Sequence, residues 1–219
     1  MSMYKVAEKF ISINGEGTLA GQPAVFIRLS GCSLRCSYCD TAWAQGDCGE
    51  SCSLDEIVRF AAESGVKNVT LTGGEPLEKE NVQELVAALL AVPCHVEIET
   101  NGSRNISGLA ALTPRPAFTL DYKLPGSGME KFMLMSNYDL LLPCDAVKFV
   151  AGSSDDLKRS AEIIRRYSLA DRCRVFISTV FGKMSLREAA EFIISEKLNG
   201  VSLQLQLHKY IWEPDKRGV

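Results

Sequence analysis

Three cysteines, Cys32, Cys36 and Cys39, fall within the segment Gly31-Cys32-Ser33-Leu34-Arg35-Cys36-Ser37-Tyr38-Cys39-Asp40. Their C-x3-C-x2-C spacing puts three soft sulfur donors on one short loop, and thiolate sulfur matches iron. Three thiolates can hold three corners of a cubane iron–sulfur cluster and leave one iron open to a ligand. Catalytic metal sites keep such an open position, whereas structural sites are closed by four protein ligands. The competing reading is a zinc site or three unligated thiols, with Cys48 near enough in sequence to be weighed as a fourth ligand. Zinc ribbons use paired C-x2-C knuckles, and bacterial ferredoxins use C-x2-C-x2-C with a further Cys before Pro; neither matches this spacing. Cys48 and Cys52 enclose Gly49-Glu50-Ser51 as a sparse second pair without further ligands, and read as ordinary loop thiols.

A second segment, Thr70-Leu71-Thr72-Gly73-Gly74-Glu75-Pro76, follows a β-prone run and precedes a helix. Its glycines let backbone polar groups approach a ligand with no Cβ in the way, although Gly-Gly-Glu-Pro by itself is only a turn. The elements that must position these loops alternate along the chain. Strands are predicted at 25–28, 68–71, 96–99, 118–120, 147–150, 174–179 and 201–207. Ser53-Leu54-Asp55-Glu56 and Ser185-Leu186-Arg187-Glu188 have capping-box spacing before apolar runs, and 80–90 and 155–167 have amphipathic helical periodicity. This order predicts an α/β fold with a mostly parallel sheet or partial barrel. Residues 5–13 alternate imperfectly and predict an extra N-terminal strand. The stretch 114–143 holds four of the eight prolines and predicts a lid or an irregular crossover.

The chain has 219 residues, within the range of one domain, and is 46% hydrophobic and 23% charged, the profile of a globular protein. Its formal net charge of −3 supplies no basic field for a phosphate backbone, so nucleic acid is not an expected partner. No apolar stretch is long enough to span a bilayer, and the start Met1-Ser2-Met3-Tyr4-Lys5 lacks the features of a signal peptide. A cytoplasmic protein with no membrane partner is the expectation. In that setting the eight cysteines point to metal or redox chemistry rather than disulfides. Cys94, Cys144 and Cys173 sit at or just before predicted strand starts, where free thiols need no function.

The two motifs together resemble the radical S-adenosylmethionine superfamily, in which the methionine moiety chelates the open iron and reductive cleavage gives a 5′-deoxyadenosyl radical. Four further segments extend the resemblance over nearly the whole chain, to the 7-carboxy-7-deazaguanine synthase family. They are Ser12-Ile13-Asn14-Gly15-Glu16-Gly17 with Phe26-Ile27-Arg28, Asp40-Thr41, Glu99-Thr100-Asn101-Gly102, and Leu205-Gln206-Leu207-His208-Lys209-Tyr210. The resemblance implies one modified partial (β/α) barrel domain over residues 1–219 with a short N-terminal extension strand. It also implies a 4Fe–4S cluster, S-adenosylmethionine and Mg²⁺ as cofactors, a reductant such as flavodoxin or ferredoxin, and a homodimer.

The implied reaction converts 6-carboxy-5,6,7,8-tetrahydropterin into 7-carboxy-7-deazaguanine and ammonia by a radical ring contraction. The deoxyadenosyl radical is the abstracting species, so no catalytic residue is assigned on the protein. By resemblance, Cys32, Cys36 and Cys39 hold the cluster and Thr41 the Mg²⁺. S-adenosylmethionine is assigned to Tyr38, Asp40, Gly73, Gly74, Glu75, Asn101, Asp121, Tyr122, Lys123 and Ser178. The pterin is assigned to Ile13, Asn14, Gly15, Glu16, Arg28, Thr72, Glu99, His208 and Val219. Asn14 stands where the family often has Gln, which shortens one amide contact.

Residue chemistry agrees with these assignments. Arg28 offers a planar fork for a carboxylate, and a pterin edge rich in N–H donors suits the Glu99 carboxylate. Each has a plainer alternative. Arg28 could be a surface ion-pair partner, Thr41 a turn cap, and His208 a structural hydrogen-bonder. Glu97 and Glu99 could mark a solvated strand face, since they alternate with Val96 and Ile98. Two other functions share parts of the pattern. A radical activase that generates a glycyl radical on a partner protein would carry the same cluster, and a noncatalytic iron–sulfur or zinc protein would have a closed site.

Overall fold

The computed structural model describes residues 2–219. Its strands are β1 (Met3–Ile13), β2 (Pro23–Leu29), β3 (Glu50–Ser53), β4 (Asn68–Gly73), β5 (His95–Thr100), β6 (Ala117–Tyr122), β7 (Ala146–Ala151), β8 (Arg174–Thr179) and β9 (Val201–Leu203). They form one sheet in the order β3-β1-β2-β4-β5-β6-β7-β8-β9. β1 runs antiparallel to β2 and β3; every neighbouring pair from β2 to β9 is parallel. The helices are α1 (Leu54–Glu63), α2 (Val82–Leu90), α3 (Ser107–Ala110), α4 (Ser154–Arg166), α5 (Leu169–Arg172), α6 (Leu186–Ser195) and α7 (His208–Ile211). This is the mostly parallel α/β partial barrel expected from the alternation.

Both predicted capping boxes form. Ser53 and Ser185 accept from the backbone N–H groups of Glu56 and Glu188, whose carboxylates reach back to the cap residues. Each starts a helix that covers the outer face of the sheet. That face is apolar: Val25, Ile27, Leu29, Val69, Leu71, Val96, Ile98, Phe118, Leu120, Val147, Phe149, Val175 and Ile177 are buried in one core. The period of two sends the alternate residues inward. Arg28, Thr70, Thr72, Glu97, Glu99, Thr119, Asp121, Lys148 and Ser178 therefore line the inside of the curve. Glu97 is 2% exposed and Lys148 7% exposed. The solvated-face reading of Glu97 and Glu99 is thus corrected, because the alternation marks the inner wall of a barrel.

Two further boundaries differ from expectation. The last strand stops at Leu203 rather than running to Leu207, because the chain turns there to reach α7. β3 carried too little β-prone sequence to be expected; it forms by pairing with the start of β1. The proline-rich stretch contains β6 and then a crossover to β7 built of short 3-10 turns, which supports the cysteine loop rather than covering the cavity. Ser37 donates its backbone N–H to the Ser127 carbonyl (3.1 Å) and its hydroxyl to the Gly126 carbonyl (2.7 Å).

Candidate active site

A cavity of about 700 Å³ opens at the carboxyl ends of the parallel strands, where barrel folds place their sites. Cys32, Cys36 and Cys39 reach its wall from the loop after β2, and all three are free and partly buried. Burial pushes the Cys32 and Cys36 thiols above their ordinary values, so they stay protonated until a metal takes the thiolate. Cys48 is not on the wall, and Cys52 is buried in β3 beneath Lys9. Among the described residues no three His, Cys, Asp or Glu side chains converge on a single ion. Three thiols around a cavity suit the wider spacing of a cluster whose irons sit at separate corners.

The Gly73-Gly74 segment lies directly against this loop. Gly74 donates its N–H to the Leu29 carbonyl (2.9 Å), and Glu75 donates to the Gly31 carbonyl (2.9 Å). A Cβ on Gly74 would meet the Gly31 carbonyl oxygen and lie 2.8 Å from the Cys32 Cβ, so only glycine permits this approach. Asn101, at the end of β5, directs its amide at Cys32 Sγ (3.7 Å). Glu75 is fully buried behind the wall and does not line the cavity. It accepts from Thr100 Oγ1 (2.8 Å), Asn101 N (2.7 Å) and Leu77 N (3.0 Å), and so ties the glycine turn to Asn101. Its side chain braces the turn from behind the cavity wall.

Burial outweighs these three hydrogen bonds and pushes the Glu75 carboxyl up to about 7. The folded protein therefore holds this proton over a range in which the unfolded chain has lost it. Stability from this group is complete below about pH 4.5 and is lost as pH rises through about 7. In cluster-free protein, chemical denaturation from pH 5 to 8 is expected to show wild type losing stability relative to Glu75→Gln as pH rises. The ceiling is about 1.4 kcal/mol per pKa unit. A difference between the two proteins that does not vary with pH would remove this account.

The remaining residues expected to contact the cofactor divide by strand face. Asp121 and Lys123 line the cavity and pair at 2.7 Å. Burial opposes the Asp121 charge, but Lys123 and Lys148 outweigh it and hold the carboxyl below its ordinary value. Tyr122 points the other way, against Phe149, and donates its hydroxyl to Glu130 (2.6 Å). Its side chain is removed from the site by the alternation of β6. Ser178 is fully buried on the inner face, one strand from the cavity residue Val150, and its hydroxyl has no hydrogen-bond partner. Tyr38 lines the cavity and donates to the Val150 carbonyl (3.2 Å), with burial pushing its hydroxyl up to about 12.

The residues expected to bind the pterin, Ile13, Asn14, Gly15, Glu16, Arg28, Thr72, Glu99, His208 and Val219, all reach the cavity. Arg28 forms a cross-strand ion pair with Glu8 through Nε (2.8 Å), which leaves the other two guanidinium nitrogens for a ligand. Asn14 turns its amide toward buried Glu97 (3.4 Å), so the shorter side chain is used in the barrel floor. Burial raises the Glu97 and Glu99 carboxyls and lowers His208, which makes the imidazole a neutral hydrogen-bonding group near pH 7. Gly15 accommodates His208, since a Cβ there would strike Nδ1. Thr41 donates to Asp40 Oδ1 (2.9 Å), and Lys209 Nζ lies 3.7 Å from Asp40 Oδ2.

Several residues of the wall and its supports carry no role assigned from sequence. Phe10 and Phe26 stack with centroids 5.0 Å apart and planes 9° apart, adding a flat apolar surface to the polar cavity. Gln204 clasps Gly17 through two hydrogen bonds (3.0 and 2.9 Å). Arg217 lies over the Trp43 ring at 4.1 Å and holds the last residues along the cavity. Lys148 was detectable as the one charged residue in the otherwise apolar run of β7.

The residues present fit the groups implied for them. Three free thiols face one cavity, a glycine cradle backs them, and buried oxygens on Glu16 and Ser178 lack partners. A partial barrel with such a thiol loop at the carboxyl ends of its strands is the architecture of radical S-adenosylmethionine enzymes, and the Radical SAM superfamily profile matches residues 26–121. The chain is 49% identical to the 7-carboxy-7-deazaguanine synthase of Clostridium acetobutylicum over 99% of both chains, and 37% identical to that of Leptospira interrogans over 98% of this chain and 97% of the relative. It belongs to the 7-carboxy-7-deazaguanine synthase family of the radical SAM superfamily, with a 4Fe–4S cluster and S-adenosylmethionine as its cofactors. Its fold is similar to the crystal structure of QueE from Escherichia coli, with TM-score 0.73 at 22% identity, covering 93% of this chain and 94% of that one. Streptococcus suis SuiB bound to S-adenosylmethionine is similar over 79% of this chain and 47% of its own, with TM-score 0.56 and 16% identity.

Proposed function

We infer that the chain is a 7-carboxy-7-deazaguanine synthase, a carbon–nitrogen lyase that contracts the ring of 6-carboxy-5,6,7,8-tetrahydropterin with release of ammonia. The observation that carries this reading is its 49% identity to a synthase over 99% of both chains, with the thiol loop on the cavity wall. When bound, the cluster and S-adenosylmethionine supply the radical chemistry that starts the rearrangement. The chain's own residues bind and orient. Cys32, Cys36 and Cys39 hold the cluster; Tyr38, Asp40, Gly73, Gly74, Asn101, Asp121, Lys123 and Ser178 surround the cofactor. Arg28 takes the pterin carboxylate through its free fork. Glu16 and Glu99 accept from the N–H-rich edge, Thr72 and His208 hydrogen-bond the remaining polar atoms, and Ile13 to Gly15 and Val219 close the site. The Phe10–Phe26 pair lends a flat face to the planar part of the ring.

Mg²⁺ is assigned to Thr41, with water and substrate oxygens completing a shell of hard donors. Lys209 beside Asp40 supports this division, since it leaves the hydroxyl as the direct ligand. The unit of activity is one domain over residues 1–219 with β1 as its extension, working as a homodimer with a flavodoxin- or ferredoxin-type reductant. Exposed Leu203, Leu205, Tyr210 and Ile211, beside the unpaired edge of β9, support the dimer. Among the described residues no helix is long and apolar enough to cross a membrane. All eight cysteines are free, which supports a reducing, cytoplasmic setting.

The test is mass spectrometry of an anaerobic reaction containing reconstituted protein, reductant, S-adenosylmethionine, Mg²⁺ and the tetrahydropterin. Formation of 7-carboxy-7-deazaguanine is expected. Accumulation of 5′-deoxyadenosine without that product would overturn the substrate and keep the radical class.

A further inference from the structure

Lys148 projects from the middle of β7 into the cavity, 7% exposed, and no part of the family resemblance assigns it a role. Its ammonium donates to Glu16 Oε2 (3.1 Å) and lies 3.4 Å from Asp121 Oδ1. Glu16 belongs to the loop after β1, on the pterin side; Asp121 belongs to β6, on the cofactor side. Lys123 occupies the second oxygen of Asp121 at 2.7 Å. Glu16 Oε1 and Asp121 Oδ1 are both buried; the first accepts no hydrogen bond, and the second has only the 3.4 Å ion-pair contact with Lys148. A network that served only the fold would satisfy those oxygens, because an unpaired buried acceptor costs free energy. Here Glu16 is fixed at one oxygen and left open at the other, and Asp121 is held between two ammonium groups, both on the cavity wall.

The loop that carries Glu16 is also held from outside the cavity. Gln204 grips Gly17 through both of its hydrogen bonds, and Leu207 donates to the Gly15 carbonyl (3.0 Å). Among the described residues, Lys148 forms the ion pair between this loop and the central strands, beside the Asn14–Glu97 hydrogen bond. We propose that Lys148 is a positioning residue that couples the two halves of the site, holding Glu16 for the pterin and Asp121 for S-adenosylmethionine through one shared ammonium. The inference rests on the functional reading above. A proton-donor role is disfavoured: burial opposes the charge, but Asp121, Glu16 and Glu99 raise the pKa of Lys148 well above that of an ordinary lysine, so it keeps its proton. A shared charge makes the sites interdependent, because a ligand that redirects Glu16 changes how firmly Lys148 holds Asp121, and the effect must be reciprocal.

Lys148→Met keeps much of the side-chain length and removes the charge. The decisive experiment is anaerobic calorimetry on cluster-reconstituted wild type and variant, titrating S-adenosylmethionine and the tetrahydropterin separately and each in the presence of the other. In wild type, each ligand is expected to change the affinity of the other by about fivefold or more. In Lys148→Met, each affinity falls by roughly tenfold and the mutual dependence disappears, with iron content and the cluster absorption band unchanged. Lys148→Met/Glu16→Gln, which removes the carboxylate stranded by the first change, is expected to regain thermal stability without regaining the mutual dependence. Persistence of the mutual dependence in Lys148→Met, or loss of affinity for one ligand alone, would overturn the proposal. Wild type that binds S-adenosylmethionine but not the pterin would sink the substrate reading and the coupling with it. Wild type that binds both, with Lys148→Met binding them equally well, would sink the coupling alone.

Discussion

Alanine in place of Cys36 is expected to abolish reductive cleavage of S-adenosylmethionine while leaving a folded protein. Cys36 is one of three thiols on the cavity wall, and no other cysteine can replace it: Cys48 is off the wall, and Cys52 is buried in β3, opposite Tyr4 of β1. The fold should tolerate the change because the loop is held by backbone bonds elsewhere. Cys32 N reaches the Gln45 carbonyl (3.1 Å), Ser37 N reaches Ser127 (3.1 Å), and the Gly74 turn rests on Leu29. Iron analysis after anaerobic reconstitution should show loss of the intact cluster, and 5′-deoxyadenosine should fall to background. A normal cluster spectrum with retained cleavage would remove Cys36 from the ligand set.

For Arg28→Ala, loss of pterin affinity by roughly 10- to 100-fold is expected, the equivalent of about 1.5–3 kcal/mol for a charge-assisted contact. The cluster and S-adenosylmethionine cleavage should be retained. Arg28 is anchored at Nε by Glu8, so its free nitrogens are aimed without cost to the ligand, and the guanidinium is always charged. The variant also leaves Glu8 unpaired. Adding Glu8→Gln therefore separates the two effects: stability should recover, and pterin affinity should not. Calorimetry on reconstituted enzyme reads both, and unchanged pterin affinity in Arg28→Ala would place the substrate carboxylate elsewhere.

Much of the architecture was legible in the chain. Capping boxes at Ser53 and Ser185, apolar helix faces and β-prone runs are local features, set by bonding and periodicity within a few residues, and each became the expected element. The thiol loop was equally plain, since C-x3-C-x2-C between a strand and a turn has few other uses. Family membership then set aside the activase and noncatalytic alternatives, which spacing alone had left standing.

Other features depend on the curvature of the sheet. The alternation Val96-Glu97-Ile98-Glu99 has the same pattern whether the polar face meets water or the inside of a barrel, and only the tertiary structure shows that Glu97 is buried against Thr119 and Asn14. Tyr122 and Glu75 were placed by motif, yet strand direction turns one outward and burial sets the other behind the wall. Lys148 meets Glu16 across 132 positions of sequence, and Gln204 meets Gly17 across 187. The sequence by itself determined which residues could bind iron and which elements would form, because those are short-range properties of spacing and propensity. Only the tertiary structure decided which charges share the cavity, because that depends on how six parallel strand pairings bend one sheet into a wall.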